Sequence, residues 1–293
     1  MAEQNTPTEN GEGKRIRGYG LGSVDTVLSV DQVDEQARNL SAEKPTMAKL
    51  QGLVNGETLL SIEALDAGYG KMQIIHGLDM AIGAGQSLCL IGPNGAGKST
   101  ILHSIFGFTN IYGGAIKIHG TDVTRLTSNQ KLKNGIAYIL QDNSVFPDMT
   151  VEENLLMGGF LKDNRAEAHA ATERVFEKYP RLRERARQRA GVLSGGERRL
   201  LEISRALVMN PDVLLVDEPS IGLEPRFIDQ VFEILYDLQN TEGKTIIMVE
   251  QNAKKGLEFA DIGYVLVSGQ LAMAGPGDEL LDDPEVGRLF LGG

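Results

Sequence analysis

Cysteine is almost missing from this chain. Cys89 is the only one in 293 residues, so no internal disulfide can form and nothing points to an oxidising compartment. It stands in the run SLCLIGPNG, which reads as a buried strand, where a lone thiol serves as a small core residue. Positive charge is also short. Twenty-nine Lys and Arg against 40 Asp and Glu leave a net charge of −11, the opposite of the basic face that nucleic-acid binders present, and no nucleic-acid partner is expected. The four histidines, His76, His103, His119 and His169, are scattered without metal-ligand spacing and read as structural or exposed. No apolar run is long enough to cross a membrane. The longest uncharged stretch, Met80 to Gly97, is interrupted by Gly83, Gly85, Gly92, Pro93, Gly95 and Gly97 and reads as strand and loop. The N-terminus has no continuous apolar core of the kind a secretory leader needs. Internal repeats are absent.

Enough apolar residues are present, 41% of the chain, to bury a sizeable core. Residues 1–57 stand apart: they are polar and glycine-rich, without sustained periodicity, and are expected to be a disordered extension, with a weak helix in VDQVDEQARNL. From Leu59 onward, short apolar runs alternate with amphipathic stretches. LLSIEAL, SLCLIG, IAYILQ, VLLVDE, TIIMVEQ and GYVLVSG are strand candidates. Phe227, Ile228, Val231, Ile234, Leu235 and Leu238 repeat at helical spacing. This alternation predicts a mostly parallel sheet covered by helices. The exception runs from about Val151 to Ala190, charged and helical without a strand, opened by a capping box between Thr150 and Glu153. It reads as an inserted helical subdomain. Within it, KYPRLRERARQRA is basic and reads as a solvated helix face.

Three motifs carry chemistry. Gly92, Pro93, Asn94, Gly95, Ala96, Gly97, Lys98 and Ser99 fit G-x-x-x-x-G-K-[ST], with Thr100 following, between a strand and an apolar-periodic helix. That context suits a phosphate cradle, in which backbone N–H groups and the helix N-terminus surround an anion. Lys98 would reach the β- and γ-phosphates, and the Ser99 hydroxyl would ligate Mg²⁺. Alone, the loop says P-loop NTPase. VLLVDE ends an apolar strand in two carboxylates: Asp217 suits the Mg²⁺ site, and Glu218 suits a base that polarises the attacking water. LSGGE, with Ser194, Gly195, Gly196 and Glu197, opens an apolar helix and offers a second anion site.

In this order the three motifs resemble the ATPase subunits of ABC transporters, over roughly Leu59 to Gly293. The resemblance implies an α/β fold: a P-loop NTPase of the ABC ATPase type, with a mainly parallel sheet core, an antiparallel β portion and an α-helical subdomain at about 142–205, within an ATPase domain spanning 58–293. It implies ATP and Mg²⁺ as cofactors, with Ser99, Gln141 and Asp217 at the metal. Two ATPase domains meet head to tail, so that the LSGGE loop of one completes the site of the other. Tyr69 corresponds to the aromatic that stacks on adenine. Gln141 corresponds to the glutamine between Mg²⁺ and the membrane subunits, and Ile221 to Glu224 to the loop facing the partner ATPase.

GYGKMQIIHGL, VFPDMTVEENLLMG, DEPSIGLEP and TIIMVEQNAKKGLEFAD look more closely like an ATPase of the branched-chain amino-acid, urea and amide importers. That implies a second, non-identical ATPase, two transmembrane permease subunits, indirectly a periplasmic substrate-binding protein, and a peripheral place on the cytoplasmic face of the inner membrane. Gln251 falls where the wider family has a switch histidine, and glutamine donates a hydrogen bond but takes no proton. Glu197 replaces the more usual glutamine, Glu224 an aspartate, and Gln141 stands where these importer ATPases often carry glutamate. Lipopolysaccharide-export ATPases also show GGERR but carry histidine at the position of Gln251. Soluble ABC ATPases of translation or DNA repair have tandem domains or long coiled coils, for which this chain has no counterpart.

Overall fold

The computed structural model describes residues 44–141 and 144–290. The expectations for residues 1–43, including the weak helix in VDQVDEQARNL, lie outside the described residues. The expected disordered extension over 1–57 is corrected from residue 44 onward. Thr46 caps a short helix, α1 (Met47–Gly52), by accepting from the Lys49 N–H, and Leu50 is fully buried in the main core. The chain then runs along Gln86, whose side-chain amide donates to Leu53 O at 3.1 Å while its oxygen accepts from the N–H groups of Asn55 and Gly83 at 2.9 Å. One apolar anchor and one satisfied amide hold a segment that its polar composition marks as tail. Leu50→Ala is therefore expected to cost about 2–4 kcal/mol in urea unfolding, as core truncations do; a solvated tail residue would cost under about 0.5 kcal/mol.

Two sheets follow. β1 (Thr58–Tyr69), β2 (Met72–Gly83), β4 (Asn110–Ile118) and β5 (Thr121–Asp122) form an antiparallel sheet in the order β2-β1-β4-β5. The larger sheet has the order β10-β9-β3-β8-β7-β6, from β3 (Ser87–Ile91), β6 (Ile136–Ile139), β7 (Val213–Asp217), β8 (Thr245–Val249), β9 (Ile262–Val267) and β10 (Gln270–Pro276). Its strands are parallel except for the β9–β10 pair. β3, β7, β8 and β9 are buried along their whole length, which is why their sequences are unbroken aliphatic runs rather than alternating ones.

Helix α2 (Lys98–Phe106) packs between the sheets in one core. The opposite face of the large sheet is covered by α8 (Pro225–Asn240), α9 (Ala253–Phe259), α10 (Gly277–Asp282) and α11 (Pro284–Phe290). α8 ends at Asn240. After α2 comes α3 (Ser128–Lys133). Between β6 and β7 the regular elements are helical: α4 (Val151–Gly158), α5 (Arg165–Lys178), α6 (Pro180–Glu184), a 3-10 turn (Ala190–Val192) and α7 (Gly195–Leu207). They share a separate core that includes Val151, Leu155, Val175, Phe176, Leu182 and Leu201. α7 also turns Ile203 towards the large sheet, so one helix joins the two bodies. The Thr150–Glu153 capping box is present.

Lys131 is a fully buried cation whose ammonium donates to Ser104 O, at the C-terminal end of α2, at 3.1 Å. Burial brings its pKa down from 10.5 to about 8, against the upward pull of Asp122. Between those two values the unfolded chain holds a proton that the folded chain has released, so this group makes stability rise with pH; below about 8 it is charged in both states and the cost of burying it is borne in full. The stability of the protein relative to a Lys131→Met variant is expected to improve as pH rises from neutrality towards 10, in parallel urea titrations. A constant difference would remove Lys131 as the cause.

Candidate functional site

The carboxyl ends of β3, β8 and β7, neighbours in the sheet, carry the expected motifs, the position at which open α/β sheets bind ligands. β3 delivers the chain to Gly92, and α2 starts at Lys98. Gly92, Gly95 and Gly97 have φ of 144°, 82° and 98°. A Cβ on Gly92 would lie 2.1 Å from Leu266 O, and one on Gly97 2.7 Å from Ile75 Cδ1. The loop is thus pressed between β9 and β2, and glycine is required by sterics as well as by φ. Gly97, the N-cap of α2, makes no side-chain capping bond, which leaves the first-turn N–H groups available to an anion.

Lys98 folds back over this loop. Its ammonium donates to Gly92 O at 2.8 Å and Pro93 O at 3.0 Å, and the residue is 7% exposed. Burial holds its pKa below the usual lysine value, opposed by the charges of Glu218 and Asp217. Asp217, 4% exposed, divides its oxygens: Oδ1 accepts from Ser99 Oγ at 3.0 Å and Oδ2 from the Tyr138 hydroxyl at 2.7 Å. Burial first, and the Asp217 charge second, push the Tyr138 phenol well up, so it remains a donor. Glu218 is half-buried, with φ of 43°. Its N–H donates to Val249 O at 2.9 Å, and its Oε2 accepts from Gln141 Nε2 at 3.0 Å. A non-glycine residue in the left-handed region costs about 1 kcal/mol, held here by the β7–β8 pairing.

Tyr69 ends β1 and is 40% exposed. Its hydroxyl is hydrogen-bonded to His103 Nδ1, and the two rings meet edge-on with centroids 6.1 Å apart. The turn after it is pinned by the Tyr112 hydroxyl, which donates to Gly70 O at 3.1 Å, and by Asn110 Oδ1, which accepts from Gly70 N at 2.9 Å. Gln251 is exposed, two residues beyond Val249 and so beside the end of β7. Beneath it, Glu250 is 2% exposed and accepts from Ser220 Oγ at 2.7 Å and Asn252 N at 2.9 Å.

Ser194, Gly195, Gly196 and Glu197 are elsewhere. Ser194 caps α7 in a reciprocal box with Glu197, and none of the described contacts joins these four to the loop at Gly92. A link runs through Arg199 on α7, which donates to Leu140 O at 2.9 Å and pairs with Glu202 at 2.7 Å, both side chains 5% exposed. A groove of about 960 Å³ between α7, α8 and α9 reaches Ser194 and Glu197 but not the P-loop. The structure therefore gathers Lys98, Ser99, Gln141, Asp217 and Glu218, sets Tyr69 against α2, and leaves the LSGGE loop on another face. Sequence reasoning missed Tyr138, His103, Ser220 and Glu250. Their partners are distant in sequence, and the only trace was a tyrosine in an otherwise aliphatic strand.

The oxygen donors fit a hard divalent ion. A hydroxyl and a carboxylate lie 3.0 Å apart beside a glutamine amide, and Mg²⁺ is held by one or two carboxylates together with substrate phosphates rather than by an all-protein cage. Among the described residues no group of three or more His, Cys, Asp or Glu is arranged to hold a metal alone.

A phosphate-cradling loop and a strand ending in two carboxylates, on this two-sheet frame, define a nucleotide-hydrolysing domain. The ABC transporter family model matches residues 75–221, and the chain belongs to that family; it is an ATPase of a transport system. It is 43% identical over 235 residues to the high-affinity branched-chain amino acid transport ATP-binding protein BraG of Pseudomonas aeruginosa, covering 80% of this chain and all of that one. It is 37% identical to the probable branched-chain amino acid transport ATP-binding protein LivF of Archaeoglobus fulgidus, over 80% of this chain and 99% of that one. A nucleotide-free ATP-binding cassette of an ABC transporter superimposes with a TM-score of 0.71 at 27% identity, and a cassette in its ADP conformation with 0.72 at 27%; each comparison covers 81% of this chain and all of the other. No helix among the described residues is long and apolar enough to cross a membrane.

Proposed function

We propose that this chain hydrolyses Mg-ATP to drive an importer of branched-chain or similar hydrophobic amino acids, from the cytoplasmic face of the inner membrane. The cargo reading rests on the 43% identity that runs the full length of the branched-chain ATP-binding relative. The chemical reading rests on the meeting of Lys98, Ser99, Asp217 and Glu218 at the carboxyl ends of β3 and β7. Its partners are a second ATPase, two permease subunits and, through them, a periplasmic binding protein.

Nucleotide phosphates enter the cradle of residues 92–100, where the Lys98 ammonium exchanges its two carbonyl partners for phosphate oxygens. Ser99, Asp217 and Gln141 hold Mg²⁺, which when bound neutralises phosphate charge. Tyr69 offers its exposed ring to adenine. Glu218 orients and polarises the water, and the Gln141 amide on its Oε2 helps to hold the carboxylate in place. Ser194, Gly195, Gly196 and Glu197 stand apart from this cluster because they act on the partner's nucleotide. Gln251, at the switch position, donates to the γ-phosphate without taking a proton.

The test is to extract membranes in mild detergent, pull down a tagged copy, and measure ATP hydrolysis of the recovered assembly in proteoliposomes. Two different polytopic proteins and a second ATPase are expected, with hydrolysis stimulated by a binding protein loaded with leucine, isoleucine or valine. Recovery with ribosomes or DNA, or stimulation only by an unrelated cargo, would overturn the importer reading while leaving the ATPase.

A further inference from the structure

The basic stretch Lys178–Ala190, which reads from sequence as a solvated face, is not free in the structure. Its backbone is strapped to the start of α4: Val151 N donates to Gln188 O at 2.9 Å, Glu152 N to Ala186 O at 3.0 Å, and Ala190 N to Met149 O at 2.8 Å. Leu182 anchors it at 1% exposure. The strap delivers two arginines to one carboxylate. Arg185 Nε lies 2.8 Å from Glu197 Oε1, and Arg181 Nε lies 4.0 Å from the same oxygen. The arginine side chains are 43% and 68% exposed, but that of Glu197 only 10%.

The other oxygen of Glu197 is committed. Oε2 accepts from Ser194 N at 3.1 Å and from Ser194 Oγ at 2.9 Å, while Ser194 Oγ accepts in return from Glu197 N at 3.3 Å. Burial pushes the Glu197 carboxyl up, but the hydrogen bonds from Ser194 and the charges of Arg185 and Arg181 outweigh it and hold its pKa below the usual value. The group is ionised at neutral pH.

An ionised carboxylate in the first turn suits the helix but works against an anion-binding role. A helix N-terminus carries about half a positive charge, so a full negative charge three residues in leaves the loop net negative. Phosphate would be repelled unless a cation from outside the helix restored the balance. Arg185 engages Oε1, the oxygen that the Ser194 hydrogen bonds do not use, and so supplies that cation without displacing the capping box.

We propose that Arg185, seconded by Arg181, is a positioning and charge-compensating residue of the LSGGE loop, which holds Glu197 against Ser194 and cancels its charge so that the loop can receive the phosphates of a nucleotide bound by the partner ATPase. This rests on the reading that the loop faces the partner's site. The arginines take the place of neutrality at position 197: a chain with an uncharged residue there has no charge to compensate.

The test is a double-mutant cycle in the assembled transporter, with KM and kcat for ATP measured together with the melting temperature of each full-length chain. Arg185→Gln is expected to raise KM on the order of fivefold, the scale of one partly exposed ion pair, with a smaller change in kcat; Arg181→Gln moves KM less. In the Glu197→Gln background, Arg185→Gln is expected to leave KM unchanged, because there is no charge left to compensate. Equal effects of Arg185→Gln in both backgrounds, or a lowered melting temperature with KM unmoved, would show a purely structural arginine and overturn the proposal. Ser194→Ala separates the two levels. If it removes turnover while Arg185→Gln is silent, the charge-compensation idea alone falls. If Ser194→Ala leaves both constants unchanged, the loop does not serve a nucleotide and both readings fall.

Discussion

Glu218→Gln leaves ATP bound and stops its hydrolysis: affinity is expected to stay within about threefold of the parent, and turnover to fall by roughly two to four orders of magnitude, the range a positioned general base contributes. The carboxylate stands one residue past the β7 strand, and a backbone bond to Val249 O fixes it in a left-handed conformation. The substitution changes neither volume nor backbone demand. Oε2 accepts from Gln141 Nε2 at 3.0 Å, which helps to hold the carboxylate where the proposed role has it orient a water. In the variant that position carries an amide, which lacks the charge that polarises water. The neighbours proposed to hold nucleotide, Lys98, Ser99 and Asp217, keep their contacts. Nucleotide binding by titration of a fluorescent ATP analogue and phosphate release from the same preparation separate the two quantities. Ordinary turnover in the variant would sink the assignment of the base.

The parts of this molecule that could be read in advance are those where one residue's constraint is local. Gly92 and Gly97 must be glycine because of positive φ and the crowding of Leu266 O and Ile75, and they announce themselves as a spaced motif. β7 and β8, buried on both faces, announce themselves as aliphatic runs. The Thr150–Glu153 box needs only four residues of context. What escaped is settled across long separations. Leu50 fills a gap in a core built mostly from Leu59 onward, and nothing in a six-residue helix with one buried side chain distinguishes it from tail. Tyr138 looks like strand filling until β6 is laid beside β7 and its hydroxyl meets Asp217. Arg185 is one arginine among five at alternating positions, and only the strap to α4 decides that it, and not Arg187, meets Glu197. Glycine patterns and strand hydrophobicity are thus encoded residue by residue, whereas the orientation of Asp217 and Glu218 is a property of strand order.

Lys98→Ala is expected to lower affinity for ATP by about a hundredfold or more while leaving the fold intact. The lysine is 7% exposed, and without nucleotide its charge rests on two backbone oxygens, Gly92 O and Pro93 O. Burial alone would favour its neutral form; the charges of Glu218 and Asp217 draw it back towards the ammonium. A cation is therefore favoured beside the loop by the two carboxylates, Glu218 and Asp217. Hydrogen bonds to a charged group contribute about 1.5–3 kcal/mol each, and about 2.7 kcal/mol is a hundredfold in affinity. Truncation also leaves Asp217 and Glu218 facing the incoming phosphates without a compensating charge, which adds repulsion to the lost contacts. Lys98→Arg is expected to restore little. It keeps the charge but must fit a planar fork where a compact ammonium now sits between two carbonyls. Calorimetric titration with Mg-ATP, alongside thermal unfolding, distinguishes a lost site from a lost fold. Binding by Lys98→Ala at the parent affinity would mean that the phosphates lie elsewhere, and the roles proposed for Ser99, Asp217 and Glu218 would fall with it, since Ser99 follows Lys98 in the same loop and bonds Asp217 at 3.0 Å, and Glu218 is the next residue.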